Sequence, residues 1–369
     1  MSSSVKKRLG LLVRVLVSAG ILAYLFNGIF QKEAAGYFEQ AGIDPQTLPW
    51  GERTRIVWTK GPNALWEVFQ EVDPVWFAAA VACMGLVSLL CIIRWRWILA
   101  IQGIRLSLPR AGSIHFIGLF FNAFMLGSTG GDVVKAVYAA METRHKKAEA
   151  VATVLVDRLV GLLSLFVVAL IMMGLFYHRV FDDPRLRTFA LVTLAVVVGT
   201  VVFTFALFWK GLADKLPPMR AGLLRLPFYA TLKRMVDAYR VYAMHPRLLW
   251  QTTLISFGVH FFSMLAICFV GRGLVIESAN GWIDYFLYLP IINAVTAIPI
   301  SISGFGVREL MYAQMFGTVG VSASAAVALS LLGYFASLFW SVVGSVFYLT
   351  HRQEVALAKQ QVATEPESL

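Results

Sequence analysis

The chain has 369 residues, 58% of them hydrophobic and only 14% charged, and its mean hydropathy is +0.71. That leaves too little polar sequence to cover a soluble globule, which excludes a soluble domain and points to an integral membrane protein. The formal net charge of +11 is concentrated in short stretches that orient a membrane chain, and no nucleic-acid partner is expected.

In chain order, Lys6, Lys7 and Arg8 precede an apolar run over residues 11–30. Such a run is either a signal peptide or an uncleaved anchor. Its length favours the anchor, with Arg14 snorkelling to the cytoplasmic surface. The loop 31–74 follows, with acids Glu33, Glu39, Asp44, Glu52, Glu67, Glu71 and Asp73 against bases Lys32, Arg53, Arg55 and Lys60, a balance that fits the extracytoplasmic side. Uncharged runs at 75–93, 159–177, 188–209 and 248–270 are long enough to cross roughly 30 Å of hydrocarbon as helix. Sequence this apolar reads as helices, because a membrane barrel shows short alternating segments instead.

Basic stretches at 94–110, at 135–147 and above all at 210–247 are expected in the cytoplasm, with the N-terminus and the tail 351–369. Within 210–247, residues 226–243 read as an amphipathic helix on the cytoplasmic surface. The run 111–131 has cytoplasmic charge on both flanks, so counting it as a crossing would throw the basic loop outside. The parity is restored if 111–131 and 285–316 each enter the membrane, turn at a glycine patch and return on the same side. The expected fold is all-α: about six crossings (11–30, 75–93, 150–177, 188–209, 248–270 and 322–349) plus two re-entrant helical hairpins. They form an inverted repeat, residues 75–209 and 248–350, a plan that transporters use repeatedly. Eight simple transmembrane helices are the alternative.

The two turns are the candidate working parts. The first, Gly127-Ser128-Thr129-Gly130-Gly131-Asp132, leads to Lys135; the second contains Ser303, Gly304 and Gly306 and leads to Arg308 and Glu309. From 285 to 350 these last two are the only charged residues, and a charge at bilayer depth costs several kcal/mol or more unless it faces a partner or a wet cavity. Glycine permits the turn and lets a ligand approach the backbone, while a half-helix N-terminus favours an anion such as a phosphate. Asp132 is also well placed simply to cap its helix. Arg308 either holds a phosphate or locks to a buried acid such as Asp132 or Asp157. Adjacent residues diverge by about 100° on a helix, so Arg308 and Glu309 are expected to meet separate partners.

Asp157 and Arg158 pose the same problem inside the third crossing, where ion pairing is expected for at least one of them. Asn122 either bonds freed backbone groups or lines a cavity. Arg94-Trp95-Arg96-Trp97 reads as a positive anchor and aromatic belt, with Arg94 and Arg96 offering an interface contact to anionic lipid. Cys83, Cys91 and Cys268 all lie in apolar runs and look like small buried hydrophobes. The histidines lack metal-ligand spacing, so neither metal nor cofactor is expected.

Arg94-Trp95-Arg96, Asn122 followed by Gly130-Gly131-Asp132, Asp157-Arg158-Leu159, and Pro299-Ile300-Ser301 with Gly304-Phe305-Gly306-Val307-Arg308-Glu309 occur in this order. In that pattern the chain resembles the lysylphosphatidylglycerol synthase transmembrane regions and their stand-alone flippase-like, or UPF0104, relatives. It departs from them in having Gly127 where proline is common and Lys135 where arginine is common, which keeps the charge but loses a bidentate fork. The aminoacyl-transfer domain of the full-length synthases is absent from the sequence.

The resemblance implies lipid translocation or handling, not aminoacylation. The expected function is movement of an anionic phospholipid or polyprenyl-phosphate carrier between leaflets of the cell membrane. Arg308 would meet the headgroup, Lys135 and Arg158 would assist, and the tip glycines would expose backbone donors. Asp132, Asp157 and Glu309 would relay a proton or lock an access state, and Arg308→Ala is expected to abolish translocation while the protein stays in the membrane. A lipid-modifying enzyme and a non-transporting partner of a lipid-synthesis enzyme are the alternatives. No metal motif, activated nucleophile or nucleotide loop accompanies the acids, so no enzymatic activity is expected.

Overall fold

The computed structural model describes residues 27, 30–31, 34, 37–38, 41–45, 47–124, 130–143, 145–208, 241–242, 244–297 and 306–364. Among them every regular element is an α-helix: α1 (Trp50–Gln70), α2 (Pro74–Ile101), α3 (Leu108–Phe124), α4 (Gly130–Met141), α5 (Lys147–Leu175), α6 (Tyr177–Asp182), α7 (Pro184–Phe208), α8 (Pro246–Gly273), α9 (Trp282–Thr296), α10 (Val307–Gly317) and α11 (Ala323–Thr364). The expected anchor at 11–30 and the basic loop with its amphipathic helix lie almost wholly outside the described residues.

Local chemistry sets several boundaries. Helices α2, α7 and α8 each open on a proline, whose missing N–H is an orphan at that position anyway. Asp73 Oδ1 accepts the Val75 N–H at 2.8 Å and Asp183 Oδ1 the Leu186 N–H at 3.3 Å, so an Asp-Pro step starts two of the three. Helices α2, α5, α8 and the 323–350 part of α11 are long and apolar enough to cross a membrane, and α7 carries a shorter apolar stretch, Leu186–Val202.

Between these long helices stand two pairs of short ones, α3 packed on α4 and α9 packed on α10. At 1.5 Å per residue, α3 and α9 reach about 25 and 22 Å, and α4 and α10 about 18 and 16 Å. Each member falls short of the ~30 Å a crossing needs.

The chain divides into two compact units, and α2, α5, α8 and α11 each contribute residues to both. The first comprises residues 1–87, 162–202 and 260–336; the second comprises 88–161, 203–259 and 337–369. In the first unit Phe316 on α10 gathers three tyrosine rings, Tyr285, Tyr288 and Tyr312, at centroid distances of 5.1, 5.5 and 5.6 Å. At the start of α9, fully buried Asp284 accepts from Arg179 Nη2 at 2.7 Å and from the Asn280 backbone and amide nitrogens, tying the short α6 to the α9–α10 pair. In the second unit, alanines on α3, α4 and α5 (Ala111, Ala136, Ala139, Ala150) pack around Trp95 and Leu99. Phe116 on α3 stacks on Trp340 and Phe347 of α11 at 5.9 and 5.6 Å.

Two features differ from the sequence reading. The loop expected over residues 31–74 contains the 21-residue helix α1, which a balance of acids and bases could not reveal. The helix does not stop with the apolar span at residue 350, since α11 runs on through the tail to Thr364 by way of Glu, Ala, Leu, Lys and Gln, good helix formers with no Gly or Pro to stop it.

Candidate functional site

In the second unit the charged residues of three helices converge. Asp157 of α5 accepts from Arg94 Nε of α2 at 2.8 Å through Oδ1 and from Lys135 Nζ of α4 at 3.1 Å through Oδ2. All three side chains are nearly buried. Arg94 Nη1 also donates to the Ser256 hydroxyl at 2.8 Å, and Gly161, one turn beyond Asp157, leaves the space that the guanidinium fills. Lys135 Nζ lies 4.2 Å from the centroid of the Trp95 ring, whose own N–H donates to Thr153. One acid thus serves two cations, and the cluster carries a net positive charge in apolar surroundings.

Beside it, Asp132 and Arg158 pair at 3.2 Å, with side chains 26% and 50% exposed. Asp132 lies one turn before Lys135, and Arg158 follows Asp157, so this more accessible pair borders the buried cluster. Asn122 Oδ1 accepts the Gly131 N–H at 2.8 Å, so it satisfies a backbone group at the start of α4. That bond also uses the donor that Gly131 was expected to offer a ligand. Gly130 opens α4, and a Cβ on Gly131 would overlap the Gly118 carbonyl oxygen and the Asn122 carboxamide. Gly131→Ala is therefore expected to destabilise the α3–α4 pair by about 1–3 kcal/mol, the range for overpacking. A lowered detergent-solubilised Tm would show this, against an unchanged Tm for Gly174→Ala, where a Cβ meets nothing.

Arg94 corrects the sequence reading. Where an interface lipid contact and an aromatic belt were expected over 94–97, Arg94 is buried in the triad and Trp95 is fully buried beneath Lys135, while Trp97 stays exposed. Arg96 donates to the Leu106 carbonyl at 3.0 Å instead of extending outward. A dipeptide pattern does not reveal which face of α2 packs inward.

In the first unit, Gly306 at φ +85° turns the chain into α10, a conformation that suits glycine. Glu309, with no exposed surface, reaches back so that Oε2 accepts the Gly306 N–H at 2.7 Å. Its Oε1 accepts from Arg308 Nη2 at 2.7 Å, Arg308 Nε at 3.1 Å and the Ser330 hydroxyl at 3.1 Å. The Arg308 guanidinium stands 5.0 Å from the Tyr334 ring centroid. The neighbours expected to diverge instead pair with each other: their Cα–Cβ bonds diverge, but both long side chains bend toward the helix start, where Glu309 is held by its capping bond. The buried acid that Arg308 pairs with is thus its own neighbour, Glu309. Ser303 and Gly304 lie outside the described residues.

Arg179 and Asp284 were missed. The signal was an acid in the first turn of an otherwise apolar helix, α9. Among the described residues, no three His, Cys, Asp or Glu side chains gather as a metal site.

A family model described as the lysylphosphatidylglycerol synthase TM region matches residues 54–344, which include both helix pairs and every charged residue of the two clusters. A UPF0104 membrane protein of Pyrococcus horikoshii is 23% identical over 322 residues, covering 81% of this chain and 93% of that protein. With the apolar helices, these similarities make the chain an integral multi-pass membrane protein. It belongs to the lysylphosphatidylglycerol synthase transmembrane-region family.

Proposed function

We propose that the protein carries an anionic lipid, a phospholipid or a polyprenyl phosphate, between the leaflets of the cell membrane, and that the α3–α4 pair presents its headgroup site. The observation that carries this reading is the uneven cluster of two cations, Arg94 and Lys135, on one acid, Asp157. Surplus positive charge among apolar helices is costly unless something negative visits it. A headgroup phosphate has that charge, and the Asp132–Arg158 pair supplies the exposed border where it would first arrive.

The shortness of α3, α4, α9 and α10 supports two re-entrant hairpins, and the order long helix, short pair, long helix occurs twice, as an inverted repeat requires. In this reading both termini are cytoplasmic. Arg308 is held by Glu309, so a lipid phosphate has to displace that carboxylate to reach it, which would make the pair a lock on one access state.

The lipid leaves chemically unchanged. Native mass spectrometry tests both points: the protein should retain anionic over zwitterionic lipid, the Lys135→Met variant should lose that preference, and the lipid mass should not change. Equal retention by wild type and variant would remove Lys135 from the site, and a new lipid species would favour an enzyme.

A further inference from the structure

Helix α1 has no part in either charged cluster, yet its side chains are sorted. At 100° per residue, Val57, Trp58, Trp66 and Phe69 fall on one half of the helix, while Glu52, Lys60, Asn63 and Glu67 fall on the other, together with Ile56, which packs against the chain's own core. Val57 is buried in a core cluster with Val327, against which Leu310 and Leu331 pack, and Phe69 meets Phe335 at 6.3 Å. The tryptophan flank of the same half stays outside: Trp58 is 46% exposed and Trp66 63%.

The end of α1 is tethered to a membrane-crossing helix. Only residues 71–73 separate Gln70 from Pro74 of α2, a reach of roughly 10 Å. The Asp73 N–H donates to the carbonyl of Gly273, the last residue of another crossing helix, α8, at 2.9 Å. Aromatic residues mark the same end, with Trp76 and Trp282 on either side of Phe269 at 5.6 and 6.2 Å. Tryptophans prefer the headgroup level, where an apolar ring with one N–H donor is satisfied on both counts.

We infer that α1 lies along the surface of the membrane the chain spans, with Trp66 and the outer edge of Trp58 seated among lipid headgroups and Glu52, Asn63 and Glu67 turned to water, while Lys60 lies over the Tyr37 ring. Arg55 falls beside Trp66 on the helix, where its charge meets lipid phosphate. The occupant of the exposed aromatic flank is thus lipid and not a second protein. The inference rests on the chain being a membrane protein and is independent of any transport. It has one consequence for the second helix pair: through Val57 and the Leu310 side of α10, contact with the membrane surface is carried to the helix that Arg308 opens.

The test places an environment-sensitive fluorophore on single cysteines in phosphatidylcholine–phosphatidylglycerol nanodiscs, with Cys83, Cys91 and Cys268 replaced by alanine. Trp66→Cys reports the aromatic flank, and Asn63→Cys and Glu67→Cys report the polar one. Headgroup-level spin-labelled lipid should quench the probe at 66, while aqueous iodide should quench it several-fold less than at 63 and 67. Iodide access at 66 equal to that at 63 would overturn the inference, as would shielding from both quenchers, which would mean a protein partner. If Trp66→Cys does not fold, Arg55→Cys, exposed beside it on the helix, gives the same reading.

Discussion

Asp157→Ala is expected to prevent accumulation of well-folded protein. The substitution leaves Arg94 and Lys135 as like charges in apolar surroundings, where one carboxylate had balanced both at 2.8 and 3.1 Å. Removing one member of a buried ionic group costs about 3–5 kcal/mol, a large part of the ~5–15 kcal/mol that holds a typical domain together. The monodisperse fraction on size-exclusion chromatography should fall sharply. Lys135→Met is the instructive contrast: it removes the surplus cation, keeps a side chain of similar length over Trp95, and leaves Arg94, Asp157 and Ser256 bonded. Its Tm should stay near wild type, within about 1.5 kcal/mol. If Lys135→Met unfolds and Asp157→Ala does not, the charge balance described for this cluster is wrong.

Glu309→Ala should be comparably damaging. The carboxylate is fully buried and accepts from Gly306, Arg308 and Ser330, so its loss takes an acceptor from each and leaves the Arg308 guanidinium without its counter-charge. Arg308→Ala leaves the opposite fault, a buried carboxylate without its guanidinium. Each single substitution is expected to cost about 3–5 kcal/mol. The Arg308→Leu/Glu309→Leu double variant removes both charges together and should be more stable than either single variant, a coupling read directly from Tm values in a double-mutant cycle. Costs that simply add would mean that the two side chains act independently.

The long helices were legible because uncharged runs of about twenty residues leave few alternatives: of the six expected crossings, 75–93, 150–177, 248–270 and 322–349 appear in helices long and apolar enough to cross a membrane, and 188–209 falls in α7 with its shorter apolar stretch. The two pairs of short helices, α3 with α4 and α9 with α10, were legible from the glycine patches and the charge parity together, while the turns at 125–129 and 298–305 lie outside the described residues. Partner choice was not. Asp157 could be expected to pair, but its two cations come from helices 63 and 22 residues away, a choice made only by packing. Arg308 and Glu309 illustrate the converse: their spacing argued against a contact, and the capping geometry of Gly306 overrode it. Helix α1 was hidden because charge alone was used to place residues 31–74, whereas the 3.6-residue spacing of its apolar and aromatic side chains was the readable signal. The pairing of Arg179 with Asp284, 105 positions apart by their numbers, had a local sign only at Asp284.

The measurement that bears most directly on the proposed function is leaflet exchange of fluorescent anionic and zwitterionic lipids in liposomes holding the purified protein or its Lys135→Met variant. Accelerated exchange of the anionic lipid by the wild type, lost in a Lys135→Met protein that retains its Tm, is the expected result. Exchange at the rate of empty liposomes across all lipids, or equal exchange by a folded Lys135→Met protein, would contradict it.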